Sequence, residues 1–238
     1  GIAHSTIRYW DLRYYNNSLI DKFSNYYKPD LIAVNGISAW SNLKDAGYPM
    51  NNCVPVEAIR YLYLNEVKRS IQIKKYEQTK NKRLLLLGDI QFSTTDRMLK
   101  VVESYKRVSK NSFEIWIKPH PHNPIDLAKY QSLNLIQTND RLIKLLPKID
   151  ILLTSVYTSA DLDGFCSGLP VINYIDPFGF NYSNLRHVKD SYFISSSNEL
   201  DAVIRKIASD NYKVNNNEEY FWLNQTLPKW KDLLERFD

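Results

Sequence analysis

The run RLLLLGDIQFSTTDRMLKVVESYKRVSKNSFEIWIKPH (83–120) decides the fold. RLLLLGDI (83–90) is apolar on both faces of an extended chain, the pattern of a strand buried in the middle of a sheet. TTDRMLKVVESYKRVSK (94–110) has the spacing of an amphipathic helix, with Ser93 or Thr94 as its expected cap. FEIWIKPH (113–120) then returns as a second strand, stopped by Pro119. A strand, a crossing helix and a strand within 38 residues predict a parallel pair.

The alternation continues downstream. Strands are expected at 134–138, 150–155, 169–174 and 191–195, and helices at 140–149, 158–168 and 196–209. Pro147 ends the first of these helices, Gly168 the second, and Ser196 with Glu199 forms a capping box for the third. Upstream, DLIAVNG (30–36) reads as a strand and turn, and VEAIRYLYLNEVKR (56–69) as a helix. The polar, basic stretch 70–82 reads as a linker, and the Asn cluster 215–217 as a loop. The tail 217–238 reads as two short amphipathic helices. The fold class is therefore α/β, with residues 83–209 forming one doubly wound, mostly parallel Rossmann-like sheet.

Composition narrows the function classes. With 44% hydrophobic and 24% charged residues over 238 positions, the chain folds around a sizeable core. Its longest apolar run is four residues, too short to span a bilayer. Two distant cysteines, Cys53 and Cys166, without metal spacing, and no signal-like N-terminus, predict a cytoplasmic protein. A net charge of +5 favours anionic partners, among them nucleotides and the inner face of an anionic membrane. Seventeen tyrosines and five tryptophans supply stacking surfaces, but most fall in core segments and no RNA motif accompanies them, so nucleic acid is not an expected partner.

In doubly wound sheets, ligands bind beyond the carboxyl ends of the strands. That rule singles out three loops: Gly88 to Thr95, with Gly88 and Asp89 at its start, Pro119 to Pro124, following Lys118 and containing His120, and Thr154 to Ser159. Each residue before a proline is kept extended, so Lys118 and His120 are presented rigidly, and both side chains suit phosphate oxygens. The plainer reading is a strand stopped by proline. In TSVYTSADLDGFCSGLPVI (154–172), Thr154 and Ser155 end a strand while Thr158 and Ser159 open the next helix, where free N–H groups and hydroxyls take anions. Asp163, one turn on, is placed to accept from ribose hydroxyls. Ordinary capping of the helix by Thr158 with Asp161 is the plainer reading, and Asp161 opposes a phosphate electrostatically. The His120 and Thr158 strand tips are expected to be neighbours.

These two motifs resemble the donor half of GT-B glycosyltransferases of bacterial surface polysaccharide assembly. The resemblance implies that His120, Thr158 and Ser159 hold the donor phosphates and Asp163 the ribose, with Lys118, Thr154 and Ser155 nearby. The family more often has Glu at the Asp163 position. GIAHSTIRYWDLRYY (1–15), VNGISAWSNLKDAGYP (34–49) and VEAIRYLYL (56–64) further resemble surface carbohydrate biosynthesis proteins related to the retaining β-Kdo transferases of capsule and O-antigen assembly. That likeness implies a CMP-linked donor such as CMP-Kdo, a glycan or glycolipid acceptor, and no separate cofactor.

Within the N-terminal stretch, His4 and Asp11 are the candidate catalytic residues, beside Arg8 and Arg13; buried structural pairing is the alternative. Glu57 and Arg60 read as a surface ion pair, and His122 and His187 as loop histidines. No acidic pair or His/Cys cluster implies a metal. The resemblance makes 1–80 the C-terminal portion of an acceptor-side domain plus linker, and 81–238 the donor domain with bracing C-terminal helices; a longer protein is expected. A GT-B nucleotide-sugar epimerase and a non-catalytic nucleotide- or glycan-binding module are the rival readings.

Overall fold

The computed structural model describes residues 1–8, 11, 14, 29–74, 82–109, 113–186, 188–189, 191–209 and 220–237. In chain order the elements are β1 (Ile32–Val34), α1 (Ile37–Asp45), β2 (Cys53–Pro55), α2 (Leu64–Lys74), β3 (Lys82–Leu87), α3 (Phe92–Val108), β4 (Phe113–Lys118), β5 (Ile136–Gln137), α4 (Leu142–Leu145), β6 (Ile151–Ser155), α5 (Ala160–Cys166), β7 (Val171–Tyr174), β8 (Tyr192–Ile194), α6 (Ser197–Ser209) and α7 (Pro228–Leu234). They fall into two compact units, Gly1–Asn65 with Asn217–Asp238, and Glu66–Asn216.

The larger unit is built on a six-stranded sheet of order β5-β4-β3-β6-β7-β8, every pair parallel. From β3 the chain winds outward to β4 and β5, then returns to the other side of β3 for β6, β7 and β8. The order reverses between β3 and β6, the place where such sheets open a crevice. Four consecutive buried leucines make β3 the centre: Leu84 and Leu86 face a core shared with Met98, Leu99, Val102 and Tyr105 of α3, while Leu85 and Leu87 point to the opposite side. Leu200, Ile204 and Ile207 of α6 complete that core. The helix α6 starts on the expected capping box, with Glu199 N–H donating to Ser196 Oγ at 3.3 Å and Ser196 N–H to Glu199 Oε2 at 3.1 Å. Gly168, at φ 89°, ends α5 in the left-handed conformation that glycine adopts without penalty.

In the smaller unit, β1 and β2 pair in parallel and bury Ile32, Val34 and Cys53 against Ala3, Ile7 and Leu43. Their other face, Ala33 and Val54, packs with Trp230 and Leu233 of α7.

Four local expectations fail. The helix expected over 56–69 begins only at Leu64, after a 3-10 turn at Ile59–Tyr61. Glu57 is 1% exposed, so it is no surface partner of Arg60; its carboxylate accepts the Lys229 and Trp230 amides, both at 3.1 Å, at the N-terminus of α7. The expected linker 70–82 is helical as far as Lys74. The tail forms one helix among its described residues, because Tyr220 to Leu223 are non-helical and held by tertiary contacts: Trp222 exchanges backbone hydrogen bonds with Asn35 and Ala58, and Phe221 stacks on Tyr61 at 4.1 Å.

Candidate functional site

The strand tips of the larger unit stand in the order β4, β3, β6, β7. The His120 and Thr158 tips are therefore not neighbours. The tip of β3 stands between them, and two strand spacings amount to about 10 Å. Gly88 makes that middle tip low and flat: a Cβ there would lie 2.9 Å from His120 N and 3.2 Å from Pro119 Cα. Gly88 N–H also donates to Lys118 O at 2.9 Å, extending the β3–β4 ladder to the base of the motif.

Beyond β4 the chain folds into a tight turn. Asn123 N–H donates to His120 O at 2.9 Å, and His122 N–H donates to His120 Nδ1 at 3.3 Å. An imidazole that accepts at Nδ1 carries its neutral-form proton on Nε2, so Nε2 is the donor. Among the described residues no partner meets His120 Nε2, and the Lys118 ammonium forms neither a salt bridge nor a side-chain hydrogen bond. Both residues are half-exposed. His122 is exposed, its ring 5.5 Å from that of His120.

Asp89, Thr154 and Ser155 have a different character. All three are buried, at 3%, 0% and 1% exposure. Asp89 binds the tips to one another: its carboxylate accepts from Gln91 N–H at 2.7 Å and from Ser155 Oγ, and its own N–H donates to Thr95 Oγ1 at 2.8 Å. Thr94 and Ser93 do not cap α3, which starts at Phe92; the threonine hydroxyls at 94 and 95 serve the strand tips instead.

The turn after β6 presents Thr158 and Ser159, both half-exposed, with Thr158 Oγ1 accepting from Ala160 N–H at 3.2 Å. Asp161 is not the box partner of Thr158. It is fully buried and accepts from Ser183 Oγ at 2.8 Å and Asn184 Nδ2 at 3.3 Å, so its oxygens are hydrogen-bonded inside the unit. Asp163 lies half-buried in α5. At seven residues α5 is short, which leaves hydroxyls and side-chain cations as the principal anion contacts.

Four residues of the site were given no role from sequence: Asn123 and Tyr157, which lie within two of the expected ligand loops, and Asp176 and Arg97, which lie outside them. Asp176, two residues past β7 and 3% exposed, accepts from Arg97 Nε at 2.9 Å, Thr94 Oγ1 at 3.3 Å and Phe178 N–H at 3.0 Å. Burial alone raises its pKa, but the Phe178 amide and the Arg97 guanidinium outweigh that and hold the carboxyl below the usual carboxylate range. Arg97 is raised in turn, by its hydrogen bond to Asp176. Burial, then the charges of Asp176 and Asp89, push up the Tyr157 phenol.

His4 and Asp11 belong to the smaller unit. His4 is exposed; Asp11 is half-buried and, with Arg8, Tyr14, Asn42 and Asp45, lines a cavity of about 190 Å³. Arg13 and His187 lie outside the described residues. Among the described residues no three His, Cys, Asp or Glu side chains are grouped to hold a metal ion, and no helix is long and apolar enough to cross a membrane.

No protein-family model matches this sequence, and no curated protein matches it by sequence. Solved structures do. The wall teichoic acid polymerase TagF, in a structure with CDPG, aligns over 88% of this chain and 58% of its own, at 14% identity and TM-score 0.53. The UDP-GlcNAc 2-epimerase of Methanocaldococcus jannaschii aligns over 88% and 62%, at 12% identity and TM-score 0.55. The fold is of the GT-B, Rossmann-like type. This chain spans about three-fifths of the length of those two proteins. KpsC of Thermosulfurimonas dismutans, a beta Kdo 2,7 transferase, aligns over 57% of this chain and 47% of its own, at 17% identity and TM-score 0.37, too loosely to place the chain among Kdo transferases.

Proposed function

We propose that the larger unit binds the donor of a glycosyltransferase acting in surface polysaccharide or lipopolysaccharide assembly. The observation that carries this reading is the pair of uncommitted donors, the Lys118 ammonium and His120 Nε2–H, beside the flat Gly88 tip at the reversal point of a GT-B-type sheet. A phosphate resting over Gly88 meets the Lys118 ammonium and His120 Nε2–H from the β4 side and the Thr158 and Ser159 hydroxyls from the β6 side. Asp163 is the ribose acceptor in this reading. Asp89, Thr154 and Ser155 shape the site from beneath.

As the bond from sugar to phosphate breaks, negative charge grows on the departing phosphate. Fixed donors aimed at that charge stabilise the transition state more than the ground state. Lys118 and His120 supply them in a metal-independent scheme. The finer donor assignment is a CMP-sugar such as CMP-Kdo, transferred to a glycan or glycolipid at the inner face of the cytoplasmic membrane. His4 and Asp11 remain the proposed catalytic pair of the smaller unit.

The epimerase reading requires acids facing the sugar. Both Asp89 and Asp176 have their carboxylates engaged by protein donors, which favours transfer. Thermal shifts with CMP, UDP, GDP and their sugar conjugates identify the base, and product analysis with and without acceptor separates transferase from epimerase. His120→Ala is expected to weaken nucleotide binding by about tenfold or more with the fold intact. Unchanged CMP and UDP affinity in that variant overturns the assignment.

A further inference from the structure

We infer that Asn123 is the positioning residue for His120, fixing the imidazole at the β4 tip with Nε2 as its donor atom; the inference rests on the nucleotide-phosphate reading above. Asn123 holds the histidine turn in two ways. Its backbone N–H closes the turn on His120 O at 2.9 Å. Its side-chain amide donates to the carbonyl oxygens of Asp89, at 3.4 Å, and Ile90, in the loop that follows β3. One NH2 group has two protons, so both carbonyls are served at once.

The far side of this clamp is rigid. Asp89 is fixed by Thr95 at its N–H, by Gln91 at Oδ1 and by Ser155 at Oδ2. Asn123, Asp89 and Ser155 thus form a brace running from the β4 tip, across β3, to the β6 tip. The His120 peptide lies directly over Gly88, so the turn has no room to sink when the brace is loosened. It moves outward instead, and the short span that lets His122 N–H reach His120 Nδ1 opens. Without that bond the neutral ring is free to place its proton on either nitrogen, and Nε2 is no longer committed as the donor. Asn123 directs its amide into the protein, so it acts on a ligand only through His120.

The test is the 15N spectrum of the histidine rings in the full chain, with His120 assigned by its loss in His120→Ala, alongside CMP and UDP titrations. In the wild type the neutral form of His120 is expected to show the Nε2–H tautomer. Asn123→Ala is expected to give a tautomer mixture and about five- to tenfold weaker nucleotide binding. Asn123→Asp keeps the side-chain volume but replaces both donors with acceptors facing two carbonyls, and is expected to do the same or more. An unchanged tautomer and unchanged affinity in both variants overturn the inference. If the wild type binds neither nucleotide, the phosphate reading fails, while the tautomer comparison still decides the role of Asn123.

Discussion

Replacing Gly88 by alanine puts a methyl group where the histidine turn already lies. The new Cβ would sit 2.9 Å from His120 N, 3.2 Å from Pro119 Cα and 3.3 Å from Pro119 C, whereas ordinary contact begins at 3.4 Å. All three atoms are backbone, so no rotamer change relieves the overlap. The turn has to retreat by about half an ångström, against the Gly88–Lys118 ladder bond and the Asn123 clamp. Overpacking of this kind costs about 1–3 kcal/mol of stability. In the proposed donor site the same displacement moves Lys118 and His120 away from the phosphate, and losing one charge-assisted hydrogen bond costs about 1.5–3 kcal/mol, roughly ten- to a hundredfold in Kd. Urea unfolding measures the first effect and calorimetric titration with CMP and UDP the second. A Gly88→Ala protein with wild-type midpoint and wild-type nucleotide affinity would refute the claim that the middle tip must be flat.

Other substitutions probe separate parts of the structure. Asp176→Asn is expected to cost about 1–3 kcal/mol at neutral pH, less than a wholly buried ion pair because the Arg97 side chain is 34% exposed. Since the folded-state pKa of Asp176 is depressed, its stabilisation is complete above the unfolded value near 3.9 and is lost as pH falls through the folded value. Urea midpoints of wild type and variant should therefore converge below about pH 4, and a constant gap down to pH 2 counts against the ion pair. Lys118→Ala should weaken nucleotide binding more at low salt than at high salt, because the lost interaction is a partly screened charge; a salt-independent loss points to packing. Glu57→Ala leaves two amides of α7 without an acceptor and should cost about 1–2 kcal/mol, with faster hydrogen exchange at Lys229 and Trp230 as its local signature.

The chain announces its larger unit plainly because that unit obeys local rules. The Leu84 to Leu87 run, the α3 stripe of Met98, Leu99, Val102 and Tyr105, and the Ser196/Glu199 box each act over a few residues, and all three occur as expected. The residues at 56–69 misled for the opposite reason. Their apolar spacing is helical, but Glu57 is required by amides more than 170 residues away, and that demand delays the helix to Leu64. At the site, Lys118, His120, Thr158 and Ser159 were legible as chemical types at strand ends. Asn123, Asp176 and Arg97 were not, because each works through a partner remote in sequence.

Sequence by itself determined the α/β class, the parallel alternation and which loops gather at the carboxyl ends of the strands, since these follow from periodicity and from residues that stop or cap elements. Only the tertiary structure decided that β3 separates the two motif tips, that the Asp89 and Asp161 carboxylates are hydrogen-bonded inside the unit, and that His120 offers Nε2. Strand order and hydrogen-bond partnership are relations between distant parts of the chain, and no local window contains them.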